Sequence, residues 1–169
     1  MNAISLWEPW ASLMMLGAKT IETRSWATKY RGPLLICAAQ RGLSREKLWR
    51  QSYTRGVFRA ALTPITNNNR IFLGKFNFYF GYALCAVDLV DCLPTESAEI
   101  RRIIDAYENE YQFGNYEPGR FAWITRDARP LRTPVRVTGR QRLFSVPDDV
   151  IASAMREPEG GDPWWRRAE

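Results

Sequence analysis

Histidine is absent from all 169 residues of this chain. That removes the side chain most often used as a general base near neutral pH and as a metal ligand. No Ser-His or Cys-His nucleophile can be assembled without it. Cysteine is scarce too. Cys37, Cys85 and Cys92 are odd in number and show no CxxC spacing, so neither a zinc site nor a disulfide framework is expected. A reduced, cytoplasmic protein is the simplest expectation. No apolar run approaches the roughly 18 residues of a membrane span. No basic flank precedes an apolar leader at the N-terminus, so no membrane partner is expected. Walker and dinucleotide glycine patterns and close carboxylate sets are also missing, and with them any expected cofactor or metal.

What is present is a hydrophobic content of 46%, enough to fill one core, and a net charge of +6. The charge is unevenly placed. Residues 41–70 hold seven Lys or Arg against the single acid Glu46, whereas residues 71–100 hold only Lys75 against Asp88, Asp91, Glu96 and Glu99. Residues 101–140 return to excess base, with eight arginines against five acids. Basic blocks in a chain with a pI near 9.5 suit a polyanionic partner, and also suit an ordinary solvated surface.

Periodicity supplies the elements. Ala3–Leu6 reads as a short strand. Pro9 fits a first helical turn, where its missing N–H costs nothing, and Trp10, Leu13 and Leu16 follow at helical spacing up to a stop at Gly17. Thr20–Arg24 alternates as a strand, and Leu34–Ala39 is a nearly continuous apolar run typical of a strand buried on both faces. Leu43 to Leu62 reads as one helix, weakened at Gly56. An aromatic segment, Phe72–Phe80, leads to a central strand over Tyr82–Val90. Thr95 is placed to cap a helix whose stripe runs Ile100, Ile103, Ile104, Tyr107, Tyr111. Arg120–Thr125 and Leu131–Val137 read as two further strands, and Val146–Met155 as a last short helix. The tail beyond Pro158 reads as poorly ordered, with Trp164 and Trp165 as candidate docking groups. These elements predict one α+β domain over residues 1–145, with a helical insertion near 43–63 and a C-terminal helix and tail over 146–169.

The densest chemistry lies at the helix-to-strand corner. Lys19, Glu22, Arg24, Trp26, Tyr30 and Arg31 follow the glycine stop within fifteen residues. Strict alternation puts Lys19 opposite Glu22 and Arg24, so a shared cleft requires Lys19 to belong to the turn. Arg24 and Arg31 offer forked phosphate donors, while Trp26 and Tyr30 offer flat faces for an unstacked base. Trp10, on the apolar helix face, fits the core or a stacking platform. Arg132, Arg136, Arg140 and Arg142 either extend a basic track or guard a strand edge.

The segment WEPWASLMMLGAKTIETRSWATKYRGPLLICAA resembles the opening of the ASCH family, named for activating signal cointegrator homology and grouped with PUA-like folds. ALCAVDLVDCLP and FGNYEPGRFAWITRDARPLRTPVRVTGRQRLF are similar to its central and closing strands. The likeness is to stand-alone bacterial and phage members and covers most of residues 3–144. It implies a small PUA-like β-barrel with flanking helices. It also implies a cleft holding the GxKxxExR motif, here Gly17, Lys19, Glu22 and Arg24. Relatives of this kind are linked to RNA or DNA binding, and some hydrolyse nucleic acid or modified nucleosides. Small amidohydrolases of similar motif carry Thr where this chain has Glu22. Many relatives carry Gln at Glu8, His at Cys37 and Lys at Gln40, so those roles do not carry over.

Three functions remain open on sequence. One is binding of RNA, single-stranded DNA or a nucleotide through Lys19, Glu22, Arg24, Trp26, Tyr30 and Arg31. The second is hydrolysis of RNA or a modified nucleoside with Glu22 as base and Lys19 as oxyanion stabiliser. The third is a protein-interaction domain. Oligomeric state is not fixed by the sequence.

Overall fold

The computed structural model describes residues 1–53, 56–65, 78–107 and 109–155. Six strands form one mixed sheet: β1 (Asn2–Leu6), β2 (Ile21–Arg24), β3 (Gly32–Ala38), β4 (Tyr82–Pro94), β5 (Phe121–Arg136) and β6 (Phe144–Ser145). Their order across the sheet is β2-β5-β4-β3-β1-β6, with β1 parallel to β3 and every other pairing antiparallel. The helices are α1 (Trp10–Met15), α2 (Arg45–Tyr53), α3 (Gly56–Leu62), α4 (Ala98–Ala106), α5 (Glu110–Phe113) and α6 (Asp148–Met155).

The apolar run of β3 is buried on both faces because two cores meet there. Leu34 and Ile36 join α1, Phe58, Phe113 and Trp123 on one side. Leu35 and Cys37 face Leu131, Phe144 and the α6 residues Ile151 and Ala154 on the other. A third, smaller cluster of Ile21, Ile100 and Ala122 seats α4 against β2 and β5.

Arg120–Thr125 and Leu131–Val137 prove to be parts of one long strand. Its ladder with β4 slips in three places, and Asp127 takes a left-handed φ of 53°. Slips of this kind bend and twist a strand pair. The bend has a measurable consequence. A flat sheet would hold β2 and β1 about 19 Å apart, four strand spacings. Instead Arg24 Nη2 in β2 donates to the Ser5 carbonyl in β1 at 2.9 Å. The sheet therefore curls until its margins nearly meet, but among the described residues no ladder joins them. The closed barrel is not confirmed; a curled, open six-stranded sheet with flanking helices is what the pairing gives.

Other expectations shift locally. Within the helix expected over Leu43–Leu62 the described residues give α2 and α3, and 54–55 between them lie outside the described residues. Ser97, not Thr95, caps α4 by accepting from the Ile100 N–H. The Thr95 hydroxyl is buried against the Glu117 and Arg120 carbonyls instead. The α4 stripe ends early: Tyr107 and Tyr111 are exposed, and Tyr111 stacks on Tyr116. Most of Phe72–Phe80 and the whole tail from 156 lie outside the described residues.

Candidate functional site

The corner is built by the end of α1. Gly17 adopts φ 70°, and the Ala18 and Lys19 N–H groups both return to the Leu13 carbonyl. This leaves Lys19 in the turn, ahead of β2, as a shared cleft required. Its side chain, however, runs inward. Lys19 is only 2% exposed, and Nζ donates to the Ile21 carbonyl and to the Phe113 carbonyl at 3.1 Å, with Glu22 Oε2 at 3.5 Å. Two ammonium protons thus go to backbone carbonyls, and the Glu22 carboxylate lies within ion-pair distance of the same nitrogen.

Glu110 reinforces the same corner from the other side. Its buried carboxylate accepts from the Thr20 N–H and hydroxyl and from the Ile21 N–H at 2.8 to 3.0 Å. Thr20 in turn accepts from Thr125 on β5. Lys19 and Glu110 together fasten α5 and the following turn to the start of β2. Sequence reasoning missed Glu110: an acid on an amphipathic segment carries no sign that it is buried.

That turn is the far wall of a cleft of about 300 Å³ lined by Trp10, Glu22, Thr23, Gln51, Gln112, Phe113, Gly114 and Asn115. Glu22 is the charged group in it, its side chain 15% exposed and flanked by Lys19 and by Arg24 Nε at 3.1 Å. Trp10 meets Phe58 edge-on in the core and also lines the cleft. Arg120 borders the same wall, donating to the Asn115 and Thr23 carbonyls. Tyr116 packs below it with a buried hydroxyl that has no hydrogen-bond partner among the described residues. Burial first, and then the Glu110 and Glu22 carboxylates, pushes its phenol far up.

The remaining predicted residues do not line this cleft. Trp26 sits edge-on against buried Trp123, centroids 4.6 Å apart, with Arg142 over its ring at 5.7 Å. The Tyr30 hydroxyl donates to the Pro33 carbonyl. Arg31 donates to the Thr28 and Tyr30 carbonyls and pairs with Asp91 at 2.6 Å. Asp91 is held below its ordinary range mainly by the Cys92 N–H and then by Arg31. The structure thus gathers Lys19, Glu22 and Arg24 into one chain of contacts, and sets Tyr30 and Arg31 on a neighbouring turn. Asp88 faces outward in a two-point pair with Arg129, away from any cleft role.

Among the described residues no group of His, Cys, Asp and Glu could hold a metal ion, and no helix is long and apolar enough to cross a membrane. Cys37 is buried, which pushes its thiol up to about 12.

A curled mixed sheet with a polar cleft at the α1–β2 corner defines the class of domain. The particular family follows from comparison. The ASCH domain model matches residues 4–127, and the chain belongs to the ASCH family. It is 33% identical over 153 residues to activating signal cointegrator 1 of Mus musculus and to that of Homo sapiens. The match takes in 90% of this chain but spans only 23% of those relatives' length. A crystal structure of ASCH from Zymomonas mobilis aligns with 16% identity and a TM-score of 0.49, over 90% of this chain and 91% of that one.

Proposed function

We propose that this domain binds RNA, single-stranded DNA or a nucleotide, with one unstacked base in the α1–β2 cleft. The observation that carries the reading is the lining. Three primary amides, Gln51, Gln112 and Asn115, and one carboxylate, Glu22, converge beside the Trp10 indole. Amides and carboxylates supply the donors and acceptors that read a base edge, and an indole supplies the stacking face. The volume lies at the small end of ligand clefts, about 300–1,000 Å³, and suits a single base. Membership of the ASCH family and a charge of +6 both favour a nucleic-acid ligand.

In this reading Glu22 accepts from base or ribose, Arg24 meets phosphate beside it, and Trp26 adds a second aromatic face. Arg31, on the exposed turn held by Tyr30, is a peripheral phosphate contact. Lys19 acts as a positioning residue, since it fixes Glu22 and the Phe113 carbonyl rather than reaching solvent. The hydrolytic alternative with Lys19 as oxyanion stabiliser is less supported for the same reason: the ammonium is buried and turned to two backbone carbonyls.

Titration of labelled single-stranded RNA, single-stranded DNA and mononucleotides tests the reading. Asn115→Ala and Gln112→Ala are each expected to weaken binding by about 2- to 10-fold, the loss of one hydrogen bond. Wild-type protein that binds none of these ligands at low salt, or variants that bind as wild type does, would remove the cleft from consideration.

A further inference from the structure

Beyond the cleft, the curled sheet leaves a seam between β2 and β1 whose polar atoms are incompletely used. Arg24 Nε lies 3.1 Å from Glu22 Oε1, yet it is buried without an aligned hydrogen bond. The Ser5 hydroxyl, across the seam, is buried with no hydrogen-bond partner among the described residues. The segment 137–143 closes over this seam. Gly139 lies so near Ser5 that a Cβ there would come within 2.6 Å of the hydroxyl, so a side chain at 139 would require that hydroxyl to move.

The same segment delivers two exposed arginines. Arg140 and Arg142 have no carboxylate within ion-pair distance among the described residues. Arg142 adopts φ 60°, a left-handed conformation that Gly or Asn would take with less strain. Strain kept in a long charged residue is a reason to look for function. Here it brings the guanidinium over the Trp26 face. The contacts run without a break from the cleft through Glu22, Arg24 and Ser5 to Gly139, with Arg142 and Trp26 beside them.

From this continuity we infer that the seam and the segment 137–143 carry the sugar-phosphate backbone of a single-stranded polynucleotide. The ligand is then a strand rather than a lone nucleoside or nucleotide. Arg140 and Arg142 meet phosphates, and Arg142 yields the Trp26 face to a neighbouring base. This inference rests on the cleft reading above and adds the direction in which the strand leaves.

The test uses the full chain and fluorescein-labelled oligonucleotides of about ten nucleotides, RNA and DNA, beside the mononucleotides, over a range of salt. Each phosphate contact to a single strand contributes about 0.7 to the slope of log K against log salt. The double variant Arg140→Ala/Arg142→Ala is expected to lower that slope by about 1.4 and to weaken oligonucleotide binding about tenfold, leaving mononucleotide binding unchanged. Arg142→Lys should keep the wild-type slope. A thermal melt confirms that the variants are folded, as two exposed positions predict. An unchanged slope in the double variant, with Asn115→Ala still weakening binding, overturns the extension and leaves the cleft standing. Equal losses for mononucleotide and oligonucleotide overturn it too. Failure of the wild type on every probe overturns the cleft reading itself, and the relative affinity for the RNA and DNA arms decides which strand is preferred.

Discussion

Glu8 is buried at the entrance to α1, where its carboxylate accepts from the Ser12 N–H and hydroxyl. Burial outweighs those two bonds and raises its pKa from 4.5 to about 7. The folded state therefore holds a proton that the unfolded state has lost over that interval. The resulting stabilisation is complete below about 4.5 and disappears as pH rises through about 7, a change on the order of 3 kcal/mol. Denaturant melts are expected to show stability falling across that window in wild type and a flatter profile in Glu8→Gln. Matching profiles would show that the carboxyl titrates as it would in water. Lys19 makes the opposite demand. Replacing it by Met leaves two buried carbonyls without their donor and takes one of its ion-pair partners from Glu22, which keeps Arg24, an expected loss of about 3 kcal/mol in urea unfolding. A loss below about 1 kcal/mol would mean that water replaces the ammonium easily. Of the candidate residues, Glu22 and Arg24 were recognisable from their spacing after the glycine stop, because two residues apart on a strand share a face. The inward path of Lys19 was not, because its acceptor on Phe113 is 94 positions away.

At the scale of elements, the α1–β2 corner depends on Gly17. A Cβ there meets nothing within 4 Å, so Gly17→Ala tests backbone conformation alone. Its left-handed φ predicts a cost of about 1 kcal/mol, readable as a lower Tm. An unchanged Tm would show that the turn can relax into another conformation. The helix stop, the doubly buried β3 and the β4 strand were legible because glycine placement and apolar runs are local signals. The merging of two expected strands into β5 was not legible: Asp127 and the ladder slips continue the strand through a segment whose composition reads as a turn. The α4 stripe likewise extended in sequence beyond the helix, since Tyr107 keeps helical spacing while its side chain stays in solvent.

For the whole molecule, the curl of the sheet is the decisive feature, and Arg24 spans the margins that the backbone ladder leaves apart. Arg24→Met should loosen that seam. Hydrogen exchange at Ile21–Arg24 is expected to quicken about tenfold or more, as loss of a charge-assisted bond implies, with the β3–β4 centre unaffected. Uniform quickening would instead mean that the seam and the centre open as one unit. Charge acts at this scale as well. The basic blocks flank an acidic central stretch, so raised salt should weaken nucleic-acid binding through the basic surface while sparing recognition inside the cleft.

Residue order alone determined the family, the helix-to-strand corner, the doubly buried strand and the excess of positive charge, because each is written in neighbouring positions or in composition. Only the folded arrangement decided that Lys19 points into the protein, that Gln51, Gln112 and Asn115 wall the cleft, and that the sheet curls without closing. Those outcomes depend on atoms brought together from distant parts of the chain by strand slips and by the bending they impose, and no local pattern encodes the sum of such bends.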